Sequence, residues 1–108
     1  MTYIFIETRD PFESRDTRFV EEMAIALKER GHKITVFLLQ NAVLASRKNG
    51  VDSYLARLAD AGVALFADDF SLRERGIQKR EMHAGIHSAG MEALVDALVQ
   101  ENTKAIWH

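Results

Sequence analysis

The sequence contains no cysteine. That excludes disulfides, thiolate nucleophiles, persulfide carriers and every zinc site that needs a thiolate ligand. A single proline and six glycines leave no linker and no low-complexity segment. No apolar run approaches the ~18 residues of a membrane span, and the chain opens directly on a strand-like run without a signal peptide. The expectation is a cytoplasmic protein. Basic excess is also missing: the net charge is -2, which argues against nucleic acid, since phosphate contacts need a basic face.

What is present reads as one ordinary globular domain over residues 1–108, 47% hydrophobic and 28% charged. Tyr3 to Glu7 (YIFIE) is a short apolar run of the kind buried on both faces of a sheet. A polar connection follows, in which Asp10-Pro11-Phe12-Glu13 has the pattern of a capped helical turn, with Glu13 closing a capping box. Ser14 or Asp16 can equally cap the next helix, Thr17 to about Arg30. Its apolar stripe is Val20, Met23, Ala24 and Leu27, extended by Phe19, and Gly31 ends it.

Lys33 to Leu39 (KITVFLL) is the second strand. Ala42 to Ala45 makes a short helix closing at Asn49-Gly50. Asp52 caps a third helix with Tyr54, Leu55 and Leu58 inward and Gly62 as its stop. Val63 to Ala67 is a third strand running into Asp68-Asp69 and a short helical turn closed by Gly76. Ile77 to Gly85 reads as a loop or loose turn, with a short fourth strand within His83 to Ser88. Met91, Leu94, Val95, Leu98 and Val99 form the clearest amphipathic helix, and Lys104 to Trp107 is the last strand. Alternating strands and helices imply right-handed crossovers and a parallel sheet. The expected fold is a three-layer flavodoxin-like α/β arrangement with a mainly parallel five-stranded sheet.

In such sheets, ligands collect beyond the carboxyl ends of the strands. Asp68 and Asp69 lie there, read both as a helix cap and as a ligand or partner contact. Gln40, Asn41 and Arg9 follow other strands towards the same edge, and Arg73 lies on the helical turn beyond Asp69. The basic group Arg73, Arg75, Lys79 and Arg80 reads as a solvated or subunit-facing surface, with anion binding as the alternative.

Other chemistries fit poorly. Residues 8 to 17 contain no glycine, so no loop there lets backbone amides cradle phosphate. A magnesium-dependent phosphorelay or hydrolase site ranks last: Glu7 and Asp10 are not adjacent, and Lys104 begins its strand. His83 and His87 are four apart, but Gly85 between them argues against a metal-binding helix face, and no metal or other cofactor is expected. Ser46, Ser53, Ser71 and Ser88 lack a nucleophile elbow and read as loop and cap residues.

The succession ITVFLLQNAVLAS, LFADDFSLRERGI and KAIWH resembles the DsrE/DsrF/DsrH family, which includes the subunits of the Tus sulfur-relay complex. The resemblance spans nearly the whole chain. It implies trimers or hexamers, either homo-oligomeric or mixed with cysteine-bearing relatives; the lack of a long apolar run separately argues against a membrane partner. Active members carry sulfur as a persulfide on a cysteine ending the third strand; matching their R-G-hydrophobic motif to Arg75-Gly76-Ile77 puts Asp68 at that position. The implied protein is a non-catalytic oligomeric subunit or a small-molecule or partner-binding protein linked to intracellular sulfur metabolism. The alternative is an enzyme using Asp68 as general acid or base. Phe70, Trp107 and His108 are expected in a subunit interface.

Overall fold

The computed structural model describes residues 1–12, 14, 16–48 and 54–108. The readings placed on Glu13, Asn49-Gly50, Asp52 and Ser53 lie outside those residues. Among the described residues there are five strands: β1 (Thr2–Glu7), β2 (Lys33–Leu38), β3 (Ala64–Asp68), β4 (Ile86–Ala89) and β5 (Thr103–Trp107). The helices are α1 (Thr17–Glu29), α2 (Tyr54–Asp60), α3 (Asp69–Glu74) and α4 (Met91–Leu98). The segments Gln40–Ser46 and Lys79–Glu81 are 3-10 helices. The sheet order is β4-β3-β2-β1-β5, and every pairing is parallel.

Strand register explains the two cores. Side chains alternate across a sheet, so the row Ile106, Phe5, Val36, Leu65 and Ile86 faces one side. There it meets Val20 and Ala24 of α1, Leu55 and Leu58 of α2, and Leu72 of α3. Each fully buried aliphatic side chain of this kind contributes about 1.5–3 kcal/mol. The neighbouring row is Trp107, Ile6, Phe37, Phe66 and His87. Its centre packs under Leu94, with Ala97 and Leu98 against the same cluster.

Handedness distributes the helices. From β1 to β4 the chain advances steadily in one direction, so right-handed crossovers leave α1, α2 and α3 on one face. It then returns across the whole sheet to β5, which puts α4 on the other. One eight-residue helix cannot cover a five-stranded face. Trp107 stays 67% exposed, His87 is exposed and Phe66 is half-buried.

Several expectations shift here. The sequence stripe of α4 divides: Leu94 is buried and Leu98 half-buried, whereas Met91, Val95 and Val99 form an exposed column at i, i+4 and i+8. Phe19, expected on the buried stripe of α1, is exposed and packs its ring 5.7 Å from that of His108. Asp16 occupies the N-cap position of α1 without a side-chain cap bond. Gly31 does end α1 at φ 89°, a conformation that costs an L side chain about 1 kcal/mol or more.

No helix among the described residues is long and apolar enough to cross a membrane.

Candidate functional site

At the carboxyl end of β3, Asp68 is 5% exposed and is the N-cap of α3. Its Oδ2 accepts from the Ser71 backbone N–H (2.9 Å) and from the Ser71 hydroxyl (2.8 Å). The Ser71 Oγ in turn accepts from the Gln40 N–H at 2.9 Å. Asp68 and Gln40 are thus joined through one buried hydroxyl. Gln40 holds φ 52°, a left-handed backbone that few non-glycine residues adopt. Its turn aims the N–H that follows β2 at α3.

Asn41 joins the same edge by another route. Its Oδ1 accepts from Arg75 Nη2 (3.0 Å) and Nε (3.3 Å), while Arg75 Nη1 donates to the Ser71 carbonyl (3.2 Å). Arg75 therefore pins the 3-10 segment to α3. It is spent on structure, separate from the other cations of its group.

Asp69 and Arg73 line an open cleft of about 330 Å³ with Gln78, Lys79 and Ser88. Its floor is Leu72, Ile77 and Met82, all buried. On the far side of the Lys79–Glu81 turn, a second cleft of about 330 Å³ is lined by Arg47, Lys48, Arg80 and Glu81. Antiparallel bridging between Arg47 and Met82, and the Lys48 N–H bonded to the Glu81 carbonyl at 2.8 Å, bring these distant segments together.

Arg9 lies elsewhere. Its guanidinium pairs with Asp16 at 2.8 Å, and its backbone N–H donates to Glu7. His83 and His87 do not share a helix: His87 is on β4, and the His83 N–H bonds the Ser46 carbonyl at 2.7 Å. Among the described residues, no three His, Asp or Glu side chains are grouped as a metal site.

Sequence reasoning missed a second polar centre. Strand order reverses between β1 and β5, the kind of switch point where open α/β sheets place ligands. Glu7 ends β1 there with no exposed surface, and His108 follows β5. His108 Nδ1 stands 2.8 Å from Glu7 Oε2 and 3.1 Å from Oε1. With Glu7 ionised the carboxylate only accepts, which places a proton on Nδ1. Nearby, the Tyr54 hydroxyl is buried with no hydrogen-bond partner among the described residues. Burial first, then the negative charges of Glu7, Asp10 and Glu21, push its ionisation far above the ordinary tyrosine range. His108 thus turns its ring towards Glu7. The only sequence signal was a polar residue ending each of two apolar strands.

These features define a parallel three-layer α/β domain with polar groups at the carboxyl edge of its sheet. The sequence model of the DsrE/DsrF-like family matches residues 1–105, and the chain belongs to that family. Among solved structures it is similar to the YchN protein from E. coli, at 17% identity and a TM-score of 0.89, covering 100% of this chain and 99% of that one. It is also similar to MTH1491 from Methanobacterium thermoautotrophicum, a protein of unknown function, at 17% identity and a TM-score of 0.82, covering 99% and 97%. At that identity the likeness is one of fold. No curated protein matches the chain.

Proposed function

We propose that this chain is an oligomeric, cysteine-less DsrE/DsrF-like protein that binds a small molecule or a partner at the carboxyl edge of β3 and β4. Its setting is intracellular sulfur metabolism, in the cytoplasm, either as a homotrimer or homohexamer or beside cysteine-bearing relatives. The observation that carries the reading is the Asp69–Arg73 cleft beside a β3 terminus whose Asp68 is occupied as a helix cap. Without a thiol anywhere in the sequence, this chain cannot itself carry a persulfide. The half-covered second face of the sheet and the exposed column on α4 support assembly, because contiguous apolar surface of this kind marks contact sites.

Native mass spectrometry of the protein purified gently from its own cells tests the reading. A homo-oligomer with added small-molecule mass, or a mixed oligomer with a cysteine-bearing relative, is expected. A bare monomer at micromolar concentration would overturn it.

A second reading rests on one oxygen. Asp68 Oδ1 takes no hydrogen bond from any described residue, which leaves it available as a general acid or base. An activity left unchanged in Asp68→Asn would remove that reading.

A further inference from the structure

We infer that the Asp69–Arg73 cleft selects a small organic anion: one negatively charged head group held by Arg73 and Lys79, with an apolar body on Leu72, Ile77 and Met82. The inference rests on the binding reading above and names the class of ligand.

Charge distribution is the first argument. The two clefts that flank the Lys79–Glu81 turn carry five cations (Arg47, Lys48, Arg73, Lys79 and Arg80) against two carboxylates, on a chain of net charge -2. None of the five forms an ion pair among the described residues; the ion pairs there are Arg9–Asp16, Arg57–Glu21 and His108–Glu7. One of the two carboxylates, Glu81, is already engaged, accepting from the Gln78 N–H at 3.0 Å. A local positive field on an otherwise acidic protein concentrates anions at that surface.

Geometry separates the cations by task. Arg75, their sequence neighbour, is tied to Asn41 and the Ser71 carbonyl and contributes structure. Arg73 and Lys79 line the first cleft, and neither side chain has an ion-pair partner among the described residues. Asp69 also lies on that rim, so the lining holds two cations and one carboxylate. That balance favours a single anionic head over a multiply charged one, and Asp69 can accept a hydrogen bond from a hydroxyl or amine beside the head group.

The floor supplies the rest. Leu72, Ile77 and Met82 are buried, so the cleft ends on core side chains instead of on water-facing polar groups. A volume of about 330 Å³ lies at the small end of ligand pockets. A compact ligand with a short apolar body fits that volume.

An NMR titration of the uniformly 15N-labelled full chain tests the class with three probes of equal length: pentanoate, pentylammonium and 1-pentanol. Saturable shifts confined to residues 69–82 and Ser88 are expected with pentanoate, with a Kd about tenfold below that for either other probe. Raising ionic strength from about 0.05 M to about 0.5 M should weaken pentanoate binding severalfold and leave pentanol unchanged. Arg73→Gln and Lys79→Gln should each weaken pentanoate about threefold or more without disturbing the remaining spectrum. Equal binding of pentanol, or preference for pentylammonium, would overturn the anion class while leaving a ligand cleft in place. No shift in the cleft with any probe also overturns it, and the broader binding reading then stands or falls by the native mass measurement. Should a variant fail to fold, the probe comparison and salt dependence on the unaltered protein still decide.

Discussion

His108 Nδ1 and Glu7 Oε2 lie 2.8 Å apart although the residues are 101 positions apart in the sequence. The contact fastens the edge strand β5 to β1 at the switch point of the sheet. Further bonds run beside it: the His108 N–H to the Ile6 carbonyl at 2.8 Å, and the Thr8 N–H and hydroxyl to the His108 carbonyl at 3.1 and 3.0 Å. A buried carboxylate is thereby matched by a donor on the least protected strand of the sheet.

Removing the imidazole leaves Glu7 buried with the Arg9 N–H as its remaining bond among the described residues. His108→Ala is therefore expected to destabilise the fold by about 3 kcal/mol, because an uncompensated buried charge costs more than the pair contributes. The double variant Glu7→Gln/His108→Ala should recover part of that loss. Trp107 is the only tryptophan and adjoins the contact, so urea unfolding followed by its fluorescence measures both. Equal stability of the single variant and the parent protein would show that the contact carries no weight.

Tyr54 offers the opposite case. Its hydroxyl is buried without a partner among the described residues, so Tyr54→Phe removes an unpaired polar atom and should leave stability unchanged or raise it by about 1 kcal/mol. The pH dependence has a definite sign. The phenol ionises far higher folded than unfolded, so above about pH 10 the unfolded chain releases a proton that the folded chain keeps. That part of the stability is fully present below about pH 10 and falls as pH rises further. Tyr54→Phe should flatten this alkaline fall in thermal melts; an identical fall in both proteins would place its origin elsewhere.

Asp68 and Ser71 share one polar knot. Asp68→Ala removes the cap of α3 and is expected to cost about 1 kcal/mol, whereas Asp68→Asn keeps an acceptor for the Ser71 N–H and should cost less. Ser71→Ala deprives both Asp68 and the Gln40 N–H of a partner, for about 1–3 kcal/mol. Chemical denaturation should therefore rank Asn above Ala at position 68. Equal losses in the two variants would mean that the charge, which both remove, and not the cap bond, matters there.

Val95 sits mid-column between Met91 and Val99 on the exposed side of α4, itself 51% exposed. If assembly uses this face, Val95→Lys should shift sedimentation towards smaller species while changing intrinsic stability by no more than about 0.5 kcal/mol. An oligomer that survives the change would move the interface away from α4.

Local pattern carried most of the fold. The runs YIFIE and KITVFLL, the glycine after α1 and the acidic pair before SLRERG each declare their element through neighbours a few residues away. The weak fourth strand, expected within His83 to Ser88, lies at Ile86–Ala89. Asp68 as a cap was legible for the same reason, since a cap and the N–H it accepts from are only three residues apart.

Tertiary structure decided what depends on strand order. Sequence periodicity marked Met91, Val95 and Val99 as apolar but could not tell that one helix must cover a whole sheet face, which leaves that column outside. The separation of Arg75 from Arg73 and Lys79 required knowing that Asn41 would stand beside α3. The Glu7–His108 contact required β5 to pair with β1. Alternation and capping are short-range effects written in consecutive residues, whereas the order of strands is set by the packing of all the crossovers together. Composition, the absent thiol and the element sequence were therefore determined by the chain alone; the cleft, the cations that line it and the fastening of the last strand were decided by the fold.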